Sequence, residues 1–291
     1  MDLDPARIEA ELVRRGATVG RPLSIVAVTA STNDDAKRAA AAGAPHGAVF
    51  LADAQRAGRG RGGHTWHSPA GENLYLSMVL RPAVAAAEVA PITLAVGLAT
   101  ARVVRAALGG SAGVGVGVGD GVGVGAGVGG GAGAGAGVAL KWPNDVLVEG
   151  RKIAGVLVEG QLRGERVASL VAGIGLNART AAFPEELSDR ATSLALEGVD
   201  SVDRSALAAA LIAEVGAVVA TYERARLAPM LREIRELDFL RGRAVDIDGA
   251  RGLADGIDEV GRLLVREASG GVRAVASGEA REARGVTSGR S

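Results

Sequence analysis

The sequence predicts a globular chain made of one large domain of interleaved helices and strands, followed by a small all-β domain. Three observations predict it. The chain has 291 residues, 48% hydrophobic and 23% charged, enough to bury one sizeable core and a smaller one. Up to Leu237, stretches with helical spacing and stretches with strand character are separated by Gly, Pro, Asn and Asp. From Arg241 onward the pattern changes to short strands at close spacing.

Composition removes several kinds of chemistry. The chain has no Cys, which excludes disulfides, thiolate zinc sites and a catalytic thiol. Its three His (His46, His64, His67) all lie before residue 70, so a His-based metal site is not expected. A net charge of +0 argues against broad, non-specific nucleic-acid binding. No signal peptide and no apolar run of transmembrane length are recognised, so the expectation is a cytoplasmic protein without a membrane partner.

The first element is a helix over Asp4–Arg15. Asp4 can cap it, Pro5 suits its first position, Ile8 and Leu12 share a face, and Gly16 stops it. A strand follows at Leu23–Val28. The residues ahead of it are too few for a helix-turn-helix, so no DNA partner is expected. After Ser31-Thr32-Asn33 a helix runs from Asp34 to Ala42. Either Ser31 or Asn33 caps it, or the free amides and hydroxyls of this helix start hold a polar ligand group; the two readings are compatible.

Val49–Ala52 is a strand. Beyond it, Arg56 to Gly63 packs four glycines and three arginines into eight residues, followed by Trp66. Such a segment cannot build a core and reads as a mobile surface loop. It lacks the Gly-Lys-Ser/Thr ending of a phosphate-binding Walker loop. It is either a basic solvated loop or nucleic-acid contact, or a lid whose amides and guanidiniums close over an anion. Trp66 favours the lid, because a flat apolar face suits a ring-bearing ligand. Asn73–Leu80 is a strand with Leu74, Leu76 and Met78 on one face, and Pro91–Leu108 a largely apolar helix. Residues 109–138 form a Gly/Val/Ala repeat with one charge, Asp120, read as a flexible insertion with no role in chemistry.

Lys141–Glu159 is the most informative stretch. Only three of the 33 basic residues are lysine (Lys37, Lys141, Lys152), and two of them fall here, with Trp142 and Asn144. Where Arg is the habit, a Lys marks a place that wants a compact point charge. Lys141-Trp142 ends a strand before Pro143, Pro-Asn-Asp turns, Val146–Val148 is a short strand and Glu149-Gly150 a tight turn. Ile153–Val158 is an apolar strand buried on both faces, which sets Lys152 at the rim of a hairpin, and Gly155 allows close approach. Lys152 and Asn144-Asp145 could equally be a surface charge and a plain turn. Further on lie a strand at Val167–Ile174 closed by Gly175 and Asn177, a loop with a short helix to Leu196, a long amphipathic helix over Asp203–Leu227, and a helical stretch at Met230–Leu237. Ala244–Ile247, Gly252–Ile257, Leu263–Arg266, Val272–Val275 and Glu279–Arg281 are the strands of a small barrel, with a frayed tail after Arg284.

These pieces resemble the biotin–protein ligase family. They are Ser31-Thr-Asn33, Gln55, Gly58-Arg-Gly-Arg61, Trp66, Ser68-Pro69, Asn73 to Ser77, Lys141-Trp-Pro-Asn-Asp145, Arg151 to Glu159, Gly173-Ile-Gly-Leu-Asn177 and Ser277-Gly-Glu279, in family order over nearly the whole chain. The resemblance implies an α+β fold: a mixed-sheet catalytic domain (residues 1–238), then an SH3-like β-barrel (239–284) and a tail (285–291). It implies the ligase-only class, without a DNA-binding domain. It further implies activation of biotin by ATP, with Mg²⁺, to biotinyl-5′-AMP, then transfer to a lysine of a biotin carboxyl carrier protein; a homodimer stays open. In that scheme Lys152, Arg59 and Arg61 are catalytic. Ser31, Thr32, Asn33, Gln55, Arg59, Gly60, Arg61, Lys152 and Gly155 hold biotin. Arg61, Trp66, Lys141, Asn144, Asp145 and Asn177 lie around ATP, with the metal ligands unassigned. Other readings are a lipoate–protein ligase with the same acyl-adenylate chemistry, a non-enzymatic biotin sensor, or an RNA-binding protein using the Arg-Gly loop.

Overall fold

The computed structural model describes residues 2–109, 137–163 and 166–282. Its central feature is a seven-stranded sheet. The strands are β1 (Leu23–Thr29), β2 (Val49–Gln55), β3 (Leu74–Leu80), β4 (Val138–Lys141), β5 (Asp145–Val148), β6 (Arg151–Arg163) and β7 (Arg166–Leu176), in the order β1-β2-β3-β7-β6-β5-β4. Only β1 and β2 pair in parallel, joined through the helix α2 (Thr32–Ala41). The other neighbours are antiparallel, so the sheet is mixed as expected.

Period-two alternation decides what lies on each face. Leu74, Leu76, Met78 and Leu80 of β3 join Ala172, Ile174 and Leu176 of β7 and Ala154 and Val156 of β6 in the main core. That face is covered by α1 (Pro5–Arg14), α3 (Ala90–Gly109) and α5 (Arg204–Ala225), whose buried residues belong to the same core. The opposite face carries Ala36 and Ala40 of α2 against Ala48, Val79 and Val171. Beside α2 this face is not filled, and the candidate site lies there.

Several expectations hold closely. Asp4 caps α1 by accepting from the Ala6 and Arg7 amides, and Asp203 caps α5 in the same way. Others need correction. α2 begins at Thr32, two residues earlier than expected; Ser31 occupies the cap position in extended conformation, but its side chain makes no capping bond. α3 and α5 are each long and apolar enough to cross a membrane, against the expectation of no such run. Here that apolarity serves burial, because the two helices pack on each other and on the sheet. β6 extends to Arg163, and Leu157 on it is only half-buried. Of the Gly/Val/Ala segment, Gly109 ends α3 and Val138 starts β4; residues 110–136 lie outside the described residues, as does the tail after 282.

After α4 (Glu185–Ser188), α5 and α6 (Leu231–Glu236), the chain forms β8 (Ala244–Ile247), β9 (Ala250–Ile257), β10 (Leu263–Glu267), β11 (Val272–Val275) and β12 (Arg281–Glu282). These make one antiparallel sheet, β11-β10-β9-β8-β12. Its end strands β11 and β12 share no ladder among the described residues, so the expected barrel is seen as a five-stranded sheet. Trp142 is buried, and its indole N–H donates to Gly261 O at 3.0 Å, joining the two sheets. Its rarity reflects this seam and not a ligand.

Candidate active site

The uncovered face is built from two cross-strand rows. Tyr75, Gly175 and Gly155 are paired across β3, β7 and β6, as are Ser77, Gly173 and Leu157. The three glycines remove side chains where a core strand would carry them, leaving a trough in the sheet. Both gaps receive a side chain from outside the sheet. The Trp66 indole lies over Gly155 and Gly175; a Cβ on Gly155 would meet Trp66 Cζ3 at 3.0 Å, and one on Gly175 would collide with the indole. The Asn33 amide lies over Gly173, where a Cβ would collide with its Oδ1.

One cavity joins these groups. It is lined by Ser31, Thr32 and Asn33 at the start of α2, Gln55 at the end of β2, Arg59, Gly60 and Trp66 of the Arg-Gly loop, and Asn144, Lys152 and Gly155 of the β5–β6 region. Residues from four segments thus meet at one trough. A bound ring there would be flanked by hydroxyl, amide and cationic groups, the usual make-up of a small-molecule site.

The polar end is a connected network. Gln55 Oε1 accepts from the Thr32 amide at 2.9 Å, and Gln55 Nε2 donates to Ser68 Oγ at 3.1 Å. Ser68 Oγ donates to Trp66 O at 2.9 Å, and the Trp66 amide donates to Gly58 O at 2.9 Å. Gly58 has no room for a side chain, since a Cβ would lie 2.6 Å from Ser68 Oγ. The loop expected to be a free surface segment is therefore tied at its stem to the start of α2.

The cationic end is held by carboxylates. Arg59 makes a two-pronged pair with Asp34, at 2.8 and 2.6 Å. Lys37 bridges Asp34 at 3.1 Å and Glu159 at 2.9 Å. The Arg59 hydrogen bonds, with Lys37 adding to them, hold the Asp34 carboxyl down at about 2. Burial pushes Glu159 up, but the Asn33 amide, Lys37 and Arg59 outweigh it and the net direction is down. Lys152 Nζ lies 2.6 Å from Asp145 Oδ1, an oxygen that has no aligned hydrogen bond, and 5.3 Å from the Trp66 ring centroid. The Lys152 backbone is clamped: its amide donates to Arg190 O at 2.7 Å and its carbonyl accepts from the Thr192 amide at 2.9 Å. A flexible lysine on a fixed backbone suits delivery of a point charge.

The remaining expected residues lie elsewhere. Asp145 faces Gly155 in the ladder and reaches the cavity through its pair with Lys152. Arg61 opens a short turn (Arg61–Gly63) outside the lining, and its side chain has no hydrogen bond or ion pair among the described residues. Lys141 ends β4 outside the lining. Asn177 is buried and donates to Thr192 O at 2.9 Å; it supports the segment that clamps Lys152 and does not reach the cavity. Among the described residues, no three His, Asp or Glu side chains converge to hold a metal. Sequence reasoning assigned no site role to Asp34, Lys37, Tyr75, Ser77 or Glu159. The signal for Lys37 was available, since it is the third of the three lysines.

Comparisons with known proteins agree with this geometry. Residues 25–177, more than half the chain and the span that contains every cavity residue, match the model of the biotin/lipoate A/B protein ligase family. A biotin--[acetyl-CoA-carboxylase] ligase of Mycobacterium tuberculosis is 35% identical over 272 residues, covering 90% of each chain. The bifunctional ligase/repressor BirA of Bacillus spizizenii is 32% identical over 206 residues, and the match spans 69% of this chain but only 55% of that one. Among solved structures, the biotin protein ligase of Aquifex aeolicus in complex with biotin and ATP superposes with a TM-score of 0.67 at 25% identity, covering 90% of this chain and 97% of that one.

Proposed function

Because this chain belongs to the biotin/lipoate A/B protein ligase family, we propose that it activates biotin with ATP to biotinyl-5′-AMP and transfers the biotinyl group to a lysine of a biotin carboxyl carrier protein. The observation that carries the reading is the single cavity shared by Lys152, the Ser31-Thr32-Asn33 helix start and the Arg59 loop.

The first step brings a carboxylate to a phosphate. At about 4 Å and an effective dielectric near 20, two unit charges of like sign repel by roughly 4 kcal/mol. The trough offers Lys152 and Arg59 against that repulsion, both now resting on carboxylates, Asp145 and Asp34. Exchanging a protein carboxylate for a substrate anion keeps each cation paired; the displaced Asp34 keeps Lys37 at 3.1 Å, while Asp145 gives up its pair with Lys152. In the reading, the ring of biotin lies beside Ser31, Thr32, Asn33 and Gln55. Its carboxylate replaces Asp145 on Lys152, and the nucleotide lies toward Trp66 and Asn144. The carboxylate oxygen attacks the α-phosphorus and pyrophosphate leaves. Mg²⁺ enters with ATP as part of the substrate. The carrier lysine then attacks the anhydride carbonyl and AMP leaves. Arg61 stays with the loop as a cation that closes on the adenylate.

The reading also takes residues 1–238 as the catalytic domain and 239–284 as a small SH3-like domain. The antiparallel sheet, the Trp142–Gly261 hydrogen bond and a His64–Glu279 contact of 3.6 Å between the loop and the C-terminal region support it. The test is transfer of labelled biotin to a carrier domain in the presence of ATP and Mg²⁺. Competition by lipoate in the same assay separates the other substrate class of the family.

A further inference from the structure

We propose that Glu159 is a positioning residue: it fixes the orientation of the Asn33 side-chain amide, and so sets which hydrogen-bonding group the trough offers to substrate. The proposal rests on the acyl-adenylate reading above and adds a basis for substrate choice within it.

Glu159 does not line the cavity; Asn33 does. Glu159 Oε2 accepts from Asn33 Nδ2 at 2.8 Å, and Leu157 O accepts from the same nitrogen at 3.4 Å. On the other side, the Ser77 hydroxyl lies 2.6 Å from Asn33 Oδ1 and 2.8 Å from Thr32 Oγ1, with one proton to share between them. An ionised carboxylate can only accept. Turning the amide over would set Oδ1 against Glu159 Oε2, two acceptors face to face; the Ser77 hydroxyl, which can accept as well as donate, does not discriminate. Glu159 therefore selects one of the two amide orientations, and the surroundings keep it ionised. Lys37 Nζ lies 2.9 Å from its Oε1, and Arg59 Nη2 lies 3.6 Å from its Oε2.

The consequence reaches the substrate. Both N–H groups of Asn33 are taken up, by the Glu159 carboxylate and the Leu157 carbonyl. What Asn33 has left is the second lone pair of Oδ1, an acceptor. A site presenting a buried acceptor favours a ring with an N–H donor and penalises one without it, because the acceptor then goes unpaired. The cyclic urea of biotin carries such N–H groups; the dithiolane of lipoate carries none. Glu159 thus acts on specificity through Asn33, without touching either substrate.

The test is biotin-dependent pyrophosphate exchange by the full chain, with KM for biotin, KM for ATP and kcat measured separately. Glu159→Ala frees the amide to turn and is expected to raise the KM for biotin about tenfold, the loss of one hydrogen bond between neutral groups, with KM for ATP and kcat changed by less than about twofold. Glu159→Gln can still accept from Asn33 and is expected to lose less. Asn33→Asp places a second carboxylate against Glu159 and is expected to be worse than either. Combining Asn33→Asp with Glu159→Gln restores a donor–acceptor pair and is expected to recover most of that loss. If Glu159→Ala does not fold, the comparison of Asn33→Asp with the double variant decides alone. An unchanged KM for biotin in Glu159→Ala, equal losses in all three constants, or a double variant no better than Asn33→Asp would overturn the proposal while wild-type exchange stands. No exchange by the wild-type chain would overturn the functional reading and the positioning role together.

Discussion

The Lys152 ammonium stands 5.3 Å from the centroid of the Trp66 indole. The same nitrogen lies 2.6 Å from Asp145 Oδ1, and the indole nitrogen of Trp66 is buried without a hydrogen-bond partner. An indole N–H buried without an acceptor is costly, so this ring sits over the glycine gap without the bond it would ordinarily make. Substrate entering the trough must share or displace that ring.

Trp66 should report binding. The chain has two tryptophans, and Trp142 is buried with its N–H bonded to Gly261. Addition of biotin and ATP should change the intrinsic fluorescence of the wild-type protein, and the change should vanish in Trp66→Phe while persisting in Trp142→Phe. Equal signals from the wild type and Trp66→Phe would remove the ring from the binding event.

Filling the glycine gap should expel the ring. A Cβ at Gly175 has no space beside the indole. Gly175→Ala should fold, show a red-shifted Trp66 emission before any ligand is added, and bind substrate on the order of tenfold more weakly. An emission maximum identical to wild type would show that the indole does not rest on Gly175.

The Arg59–Asp34 clamp should be insensitive to pH near neutrality and give way in acid. Asp34 is held at about 2, first by its hydrogen bonds from Arg59. A carboxylate lowered in the folded state contributes stability fully above its unfolded range, and that contribution is lost as pH falls through its folded value. Between about pH 4 and 2 the melting temperature of the wild type should therefore fall more steeply than that of Asp34→Asn, with parallel profiles from pH 6 to 8. Asp34→Asn should also expose the loop to trypsin after Arg59. Equal cleavage rates in both proteins would mean that the pair does not restrain the loop.

Arg204 should dominate a stability scan. Its side chain is 0% exposed, pairs with Asp2 and with Asp53 at 2.5 Å, and donates to Asn73 O at 3.1 Å. Arg204→Met leaves Asp53 without its partner in a poorly solvated place and should cost about 3–5 kcal/mol in urea unfolding, as breaking a buried pair does. A loss below about 1 kcal/mol would indicate that water compensates Asp53.

Much of this architecture is legible in the sequence because it rests on local signals. Asp4, Pro5 and Gly16 bound α1, and Asp203 begins α5, through chemistry within a few residues of each end. The trough is legible only in part. Gly155, Trp66 and Lys152 stand out by residue type in an Ala/Gly/Val/Arg background, but their meeting depends on strand register: Gly155 faces Gly175 across β6 and β7, and Tyr75 faces Gly175 across β3 and β7. Glu159 and Ser77 show no local signal, since their importance comes from contacts with Asn33 across 126 and 44 positions of sequence. Trp142 shows the limit of arguing from rarity, because an uncommon residue is as apt to join two sheets as to hold a ligand.

The central claim is that Lys152 supplies the charge that lets a carboxylate meet the α-phosphate. The most direct measurement is biotin-dependent pyrophosphate exchange by Lys152→Ala, alongside its urea unfolding midpoint. The account predicts exchange reduced to background with a midpoint close to wild type. Exchange at the wild-type rate from the folded variant would contradict it.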